Sequence, residues 1–206
     1  MELLTNGMGL SVVVFFPLIS AFIITLIPKA QEQLIKRFAL VSSLITFVLS
    51  AVLLFQFDFS SADKLQLGNK ISWIKSINAN YEIGIDGISL PLLVLSTFIT
   101  VLAIIYSIEH LPEPKSPKGF LALILVLETG MNGTFVALDL ILFFVFFEIV
   151  LLPMYFMIGI WGDKTVRTVS GFKNQIETRL YASIKFFVFT LFLSLIHISE
   201  PTRRRT

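Results

Sequence analysis

The feature that most constrains this sequence is the grouping of its apolar residues into blocks of about 20, the length of helix that crosses about 30 Å of hydrocarbon. Hydrophobic residues make up 55% of the 206 residues, and 21 of them are Phe. A soluble domain is typically only about 45–50% apolar. The sequence therefore predicts an all-α fold, that of a polytopic membrane protein surrounded by the lipid bilayer.

We predict six transmembrane helices, near residues 10–27, 38–57, 90–108, 119–137, 140–160 and 181–192. The first block is not typical of a signal peptide, because Glu2 is the only charge before it and no small-residue cleavage pattern follows it. We therefore expect it to be retained as a helix.

Basic residues sort between alternate loops of this arrangement. Nine lie on one side: Lys29, Lys36, Arg37, Lys115, Lys118, Lys164, Arg167, Lys173 and Arg179. Three lie on the other: Lys64, Lys70 and Lys75. Since cytoplasmic loops carry the excess of Lys and Arg, the bias predicts an N-terminus on the outside and cytoplasmic loops after the first, third and fifth helices.

The loops carry local signals of their own. Residues 58–89 show mild polar–apolar alternation, which predicts a short hairpin on the membrane surface. Asp86-Gly87 indicates a turn, and Ser89 is predicted to cap the helix that follows. Three prolines are expected to stop the third helix and keep the next loop extended: Pro112, Pro114 and Pro117.

Glu148 lies in the middle of the apolar run 140–160. A carboxylate at the centre of a membrane helix costs at least about 2.5 kcal/mol on insertion scales, and its usual uses are proton relay, ion pathway or charge pairing. Pro153 cannot donate to the carbonyl of Ile149, so we expect a bent helix with a free acceptor that can hold water beside Glu148. The alternative is a kink that serves packing alone.

Two further ionisable groups fall inside predicted spans. Glu128 lies near mid-depth in the fourth, and Lys185 lies about 6 Å beyond the start of the sixth. Each could be a structural charge satisfied by neighbouring helices, and Lys185 is near enough to the interface to snorkel. As proton-relay candidates the three rank in the order Glu148, Glu128, Lys185.

Several kinds of site have no signature in the sequence. It contains no dinucleotide-binding or phosphate-binding glycine motif, and no Cys, and its two histidines, His110 and His197, lie far apart. We therefore expect no metal and no bound cofactor on this chain.

Five motifs occur in a familiar order: YEIGIDGISLP (81–91), LETGM (127–131), FEIVLLPMY (147–155), GIWG (159–162) and YASIKFF (181–187). Over about residues 10–192 the chain resembles the antiporter-like subunit M (chain 4) of bacterial respiratory complex I, the NADH–quinone oxidoreductase. The resemblance implies the N-terminal part of a proton-conducting membrane domain with roughly fourteen helices. Glu148 would be an essential group of its proton channel, with weaker roles for Glu128 and Lys185.

The resemblance also implies a cellular location, partner subunits and the subunits that would hold the cofactors. The protein would be a multi-pass subunit in the bacterial inner membrane, in contact with other membrane subunits of the complex, with no nucleic acid and no direct NADH binding. FMN, iron–sulfur clusters and quinone would be held by other subunits. Two alternatives remain: a subunit of a multi-subunit sodium/proton antiporter, and a non-transporting membrane scaffold in which the carboxylates only pair with neighbouring helices.

The chain departs from the family pattern in three places. Phe147 stands where Trp is usual, which should alter packing more than chemistry, and the loop 163–178 is longer than usual. Residues 193–203 resemble the translation of a transposase sequencing adapter. We therefore expect residues 193–206 to be a non-native tail, with the authentic sequence ending near residue 192 inside the sixth span.

Overall fold

A computed structural model describes residues 8–61, 64–77, 79–112, 114, 116–164, 166–167 and 176–199. The chain divides into two compact units, residues 1–150 and 151–206. Long helices fill most of the described part: α1 (Met8–Leu26), α2 (Glu32–Gln56), α3 (Ser89–Glu109), α4 (Pro117–Val136), α5 (Leu140–Trp161) and α6 (Thr178–Ser199). Short strands connect some of them: β1 (Gln66–Ile74), β2 (Ala79–Ile85), β3 (Val166–Arg167) and β4 (Ile176–Glu177).

The helices confirm the prediction of a polytopic membrane protein. Over the described residues, the five helices α1 to α5 are long and apolar enough to cross a membrane. Helix α6 occupies the place of the sixth predicted span and continues to Ser199. The total number of spans, the orientation of the chain and the origin of the 193–206 tail stay predictions, and residues 200–206 lie outside the described part.

Helix α2 begins at Glu32, six residues before the predicted start of its span at residue 38. Lys36 and Arg37 are therefore part of the helix and not of the preceding loop. The sequence contains no Pro or Gly between Pro28 and this point, and Glu32 in the first turn suits the positive end of the helix dipole. The helix consequently runs past the apolar block at this end.

The predicted hairpin is confirmed. Strands β1 and β2 pair antiparallel, with Lys70 opposite Glu82. The Lys70 ammonium lies 2.7 Å from a Glu82 carboxylate oxygen. Placement of this hairpin on the membrane surface stays a prediction.

The predicted cap at Ser89 is wrong, because Asp86 caps α3 instead. The Asp86 carboxylate accepts hydrogen bonds from the backbone N–H of Ile88 (3.0 Å) and of Ser89 (2.7 Å). The Ser89 hydroxyl in turn accepts from the Asp86 N–H (2.9 Å). This reciprocal arrangement is a capping box, and its backbone hydrogen bonds hold the pKa of Asp86 below its ordinary value.

The loop between α3 and α4 ends earlier than predicted. Pro117 is the first residue of α4 and does not belong to the extended loop. Proline suits this position because its missing N–H would be unpaired there in any case. In the long loop after α5, β3 pairs antiparallel with β4, and residues 168–175 lie outside the described part.

The outer helix faces of the first unit are rich in apolar side chains, and its interior contains polar side chains among the buried apolar ones. Helix α4 packs against α1, α2 and α3, and α2 also packs against α1 and α3. Many large apolar side chains of the outer helix faces are exposed, with Phe55 the extreme at 90%. Buried among the helices are hydroxyl, amide and carboxyl groups, the small polar side chains that join helices in lipid. This distribution fits a helix bundle surrounded by apolar solvent.

An apolar cluster closes one end of this unit. It joins α1, α2, the hairpin, α3, α4 and the first turns of α5 through side chains such as Leu10, Leu53, Ile83, Leu90 and Phe146. The hairpin is therefore part of the packed core at that end of the bundle.

The second unit contains the last turns of α5 and the helix α6. Arg179 donates from its guanidinium to the carbonyl of Ile160 (2.8 Å), one of the last carbonyls of α5. The Tyr155 and Phe187 rings lie 5.5 Å apart. These contacts fasten the start of α6 to the end of α5.

Candidate functional site

The position of Glu148 is set by the residue that starts its helix. The Asp139 carboxylate accepts from the N–H groups of Ile141 (2.8 Å) and Leu142 (3.2 Å), which caps α5. Glu148 follows Leu140 by eight residues, which corresponds to about 12 Å along the helix axis. Its side chain is partly buried.

Asp139 also joins this turn to the hairpin. Its second oxygen accepts from the backbone N–H of Asn80 at 3.0 Å, and the neighbouring Leu138 N–H donates to the Glu82 carbonyl at 2.9 Å. The Asn80 hydrogen bond, the two capping hydrogen bonds and the charge of Lys70 together hold the pKa of Asp139 below its ordinary value. One carboxylate thus fixes the start of α5 and the edge of the hairpin together.

Helices α4 and α5 approach closely at two glycines. A Cβ atom at Gly130 would lie 2.6 Å from a methyl group of Val150 and 3.0 Å from its backbone nitrogen. A Cβ atom at Gly133 would overlap the ring of Phe146. Small residues of this kind allow helix backbones to touch in membranes, so Gly130 and Gly133 mark the face of α4 that contacts α5.

The α4–α5 contact determines the directions in which the carboxylates of Glu128 and Glu148 point. Residues two apart on an α-helix point about 200° apart around its axis. Glu128 is two residues from Gly130, and Glu148 is two residues from both Phe146 and Val150. Each carboxylate therefore points away from the α4–α5 contact, and the structure does not bring Glu128 and Glu148 together.

Glu128 is the most deeply enclosed of the candidates. Its side chain is 0% exposed, and within the described residues neither carboxyl oxygen has a hydrogen-bond partner. It lies on α4, which packs against α1, α2 and α3. Burial thus places Glu128 inside the bundle.

Lys185 and Pro153 belong to the second unit. Lys185 is exposed, with its ammonium 5.6 Å from the centre of the Tyr181 ring, a cation–π contact. It lines a shallow groove of about 430 Å³ along one face of α6. Pro153 is buried inside α5, which continues through it, and the predicted free carbonyl at Ile149 stays a prediction.

The other buried polar residues of α2, α3 and α4 were not predicted as site residues. Asn132 follows Glu128 by one helical turn and is also fully buried. Facing helices contribute buried hydroxyls, among them Ser50 and Thr97, which are hydrogen-bonded at 2.7 Å. The available signal was the four-residue spacing of Ser42, Thr46 and Ser50 in α2.

As for metal sites, the part of the chain that the structure describes has no group of three His, Asp or Glu side chains arranged to hold an ion.

Comparison with known proteins gives matches along almost the whole chain. Residues 12–134 match the family model described as NADH-ubiquinone oxidoreductase chain 4, amino terminus. Residues 137–201 match the model described as NADH:quinone oxidoreductase/Mrp antiporter, TM.

Three curated relatives illustrate the similarity. NAD(P)H-quinone oxidoreductase chain 4 of Prochlorococcus marinus (strain NATL2A) is 35% identical over 187 residues, covering 90% of this chain and 32% of the relative. NADH-quinone oxidoreductase subunit M of Rickettsia typhi (strain ATCC VR-144 / Wilmington) is 34% identical, covering 92% and 36%. NADH-ubiquinone oxidoreductase chain 4 of Arabidopsis thaliana is 36% identical, covering 91% and 35%.

The chain therefore spans about a third of the length of the curated relatives it matches, 32% to 36% in these three. The first family model alone covers residues 12–134, more than half of the chain, and the helices it covers are those that form the bundle of the first unit. By this match the chain belongs to the family of NADH-ubiquinone oxidoreductase chain 4.

Proposed function

We propose that the protein of which this chain is the N-terminal part is a proton-translocating membrane subunit of an NADH–quinone oxidoreductase. The observation that carries the proposal is a carboxylate, Glu148, eight residues inside the apolar helix α5 of a chain in this family. Glu148 takes up and releases a proton, and groups on later spans complete the path. Glu128 and Lys185 are further candidates for the relay.

The remaining parts of the reaction lie elsewhere in the complex. NADH oxidation, with FMN and iron–sulfur clusters, and quinone reduction take place on other subunits. This chain contacts the other membrane subunits and the lipid of the bacterial inner membrane. It binds neither NADH nor nucleic acid.

A second candidate has support of its own. The family model that matches residues 137–201 covers both NADH:quinone oxidoreductase and Mrp antiporter subunits. In that case the protein would be a subunit of a sodium/proton antiporter, and Glu148 would serve the exchange of protons for sodium ions.

Purification of the intact protein distinguishes the two candidates. An affinity tag on the full-length chain is expected to bring down a complex that contains FMN and iron–sulfur clusters and reduces quinone with NADH. Activity should be measured on the purified complex, with an untagged strain as control. A complex without these cofactors that exchanges sodium for protons in vesicles would assign the protein to the antiporter.

The predicted orientation can be tested with single cysteines, because the 206 residues contain no Cys and any Cys in the rest of the full-length protein can be replaced by Ser. Lys75, on the hairpin side, and Lys164, just after α5, are both exposed. In the full-length protein, a Cys at position 164 should react with a membrane-impermeant maleimide only from the cytoplasmic face, and a Cys at position 75 only from the outside. The opposite pattern would invert the orientation deduced from the basic residues.

A further inference from the structure

Helices α2, α3 and α4 carry ten buried polar side chains that we call the polar column. These are Ser42, Ser43, Thr46, Ser50, Ser96, Thr97, Thr100, Glu128, Thr129 and Asn132. Hydrogen bonds join its members across helices: Ser50 to Thr97 at 2.7 Å, and Ser96 to Asn132 at 3.4 Å. The column is separate from Glu148, which points away from α4.

Most hydroxyl protons of the polar column already have acceptors. Thr46, Thr100 and Thr129 each donate to the carbonyl four residues earlier in their own helix, at 3.0 to 3.2 Å. Ser and Thr commonly make this bond inside helices. These hydroxyls can therefore act toward other groups in the interior mainly as hydrogen-bond acceptors.

Three groups in the column stand out from this pattern. Within the described residues, both carboxyl oxygens of Glu128, the amide nitrogen of Asn132 and the hydroxyl of Ser42 have no hydrogen-bond partner. Leaving one such buried group unsatisfied costs about 1–3 kcal/mol, and a bound water or ion is one way in which native structures satisfy such a group. Glu128 and Asn132 lie one turn apart on the same face of α4, with a Cβ–Cβ separation of about 5–6 Å.

We propose that Glu128 and Asn132 hold internal water between α2, α3 and α4. A water molecule can accept from the Asn132 amide, donate to a Glu128 oxygen and donate to a hydroxyl lone pair, which gives the roughly three hydrogen bonds typical of buried water. A metal cation cannot satisfy the Asn132 N–H donor, because that donor needs an acceptor. The mixture of donors and acceptors therefore favours water.

This inference does not depend on the function proposed above. It rests on burial and on unpaired atoms, and it holds whether the complex pumps protons, exchanges sodium or does neither. It adds a hydrated site on the opposite side of the α4–α5 contact from Glu148.

The test is a cryo-EM map of the full-length protein in its complex, at a resolution that shows ordered water. We expect density within hydrogen-bond distance of both the Asn132 amide nitrogen and a Glu128 carboxyl oxygen. Asn132→Leu, which keeps the approximate volume and removes the amide, should lose this density. Thr134→Val is the matched control, because Thr134 lies on the same helix, outside the column, and donates to the Gly130 carbonyl (2.8 Å).

A second test, made in solution on the wild-type protein, does not require any variant to assemble. Radiolytic footprinting labels side chains next to bound water, and wild-type Met131, which adjoins the site in sequence, should be labelled several-fold faster than expected from its exposure to bulk solvent. A direct Glu128–Asn132 hydrogen bond with no density between them would overturn the proposal. So would density contacted by oxygen atoms alone that disappears when sodium is replaced by choline.

Discussion

Glu148→Gln in the full-length protein is expected to abolish most proton translocation while the complex still assembles. The amide keeps the size and most of the hydrogen bonding of the carboxyl group, and a neutral group is cheaper to bury than an unpaired charge. It cannot take up and release a proton. Because a positioned proton-transfer group typically contributes 100-fold or more, we expect proton uptake to fall by at least about tenfold.

Proton uptake into inverted membrane vesicles, normalised to assembled complex, measures this effect. Glu148→Asp should retain part of the activity, since a carboxyl group remains at a shorter reach. Glu128→Gln should reduce uptake less than Glu148→Gln does, because the resemblance gives it a weaker role. Wild-type uptake by an assembled Glu148→Gln complex would show that the carboxylate is structural and that the protein is a membrane scaffold.

Gly130→Ala is expected to destabilise the protein, although Ala normally favours a helix over Gly by about 1 kcal/mol. The new Cβ would lie 3.0 Å from the Val150 nitrogen and 3.1 Å from the Phe146 carbonyl oxygen. These are backbone atoms, so rotation of a side chain cannot relieve the contact. Overpacking of this kind costs about 1–3 kcal/mol, and Gly130→Leu, with three more carbon atoms, should prevent assembly.

Gly159→Ala provides the matched control for Gly130→Ala. Gly159 is also a glycine inside a membrane helix, but among the described residues a Cβ atom there would meet only the Ser183 side chain, at 3.4 Å from its hydroxyl oxygen. Gly159→Ala therefore has a small steric cost, while its gain in helix propensity is the same as that of Gly130→Ala. The measurement is the thermal midpoint for loss of the assembled complex on native gels. Equal midpoints for the two variants would contradict the close α4–α5 contact.

Much of the architecture could be predicted because apolar block length is a physical constraint of the bilayer. The hairpin was also predictable, since polar–apolar alternation appears directly in its strands. The ends of the helices were harder to predict. Helix α2 begins at Glu32 because the charged residues before its apolar block can adopt a helical conformation as well as a loop. The sequence predicts Ser89 as the cap of α3, although Asp86 at the turn is an equally good acceptor, and only the geometry distinguishes the two residues.

The candidate site was predictable by residue type but not by arrangement. A carboxylate in an apolar run is visible in the sequence, which is why Glu148 and Glu128 were both found. Their opposite directions depend on which faces of α4 and α5 touch, and that is decided by Gly130 and Gly133 meeting Phe146 and Val150. The polar column was missed because isolated Ser and Thr residues in an apolar helix resemble ordinary packing residues until the helices are assembled.

The short turn between α4 and α5 constrains how such a protein can change in evolution or in engineering. Asp139 at this turn is bonded both to the start of α5 and to the hairpin. Inserting one residue after it would rotate Glu148 by about 100° and displace it by about 1.5 Å along the helix. Deletions would turn it the other way. We therefore expect the length of the turn to be held as strictly as the identity of the glutamate, even where the residues within it vary.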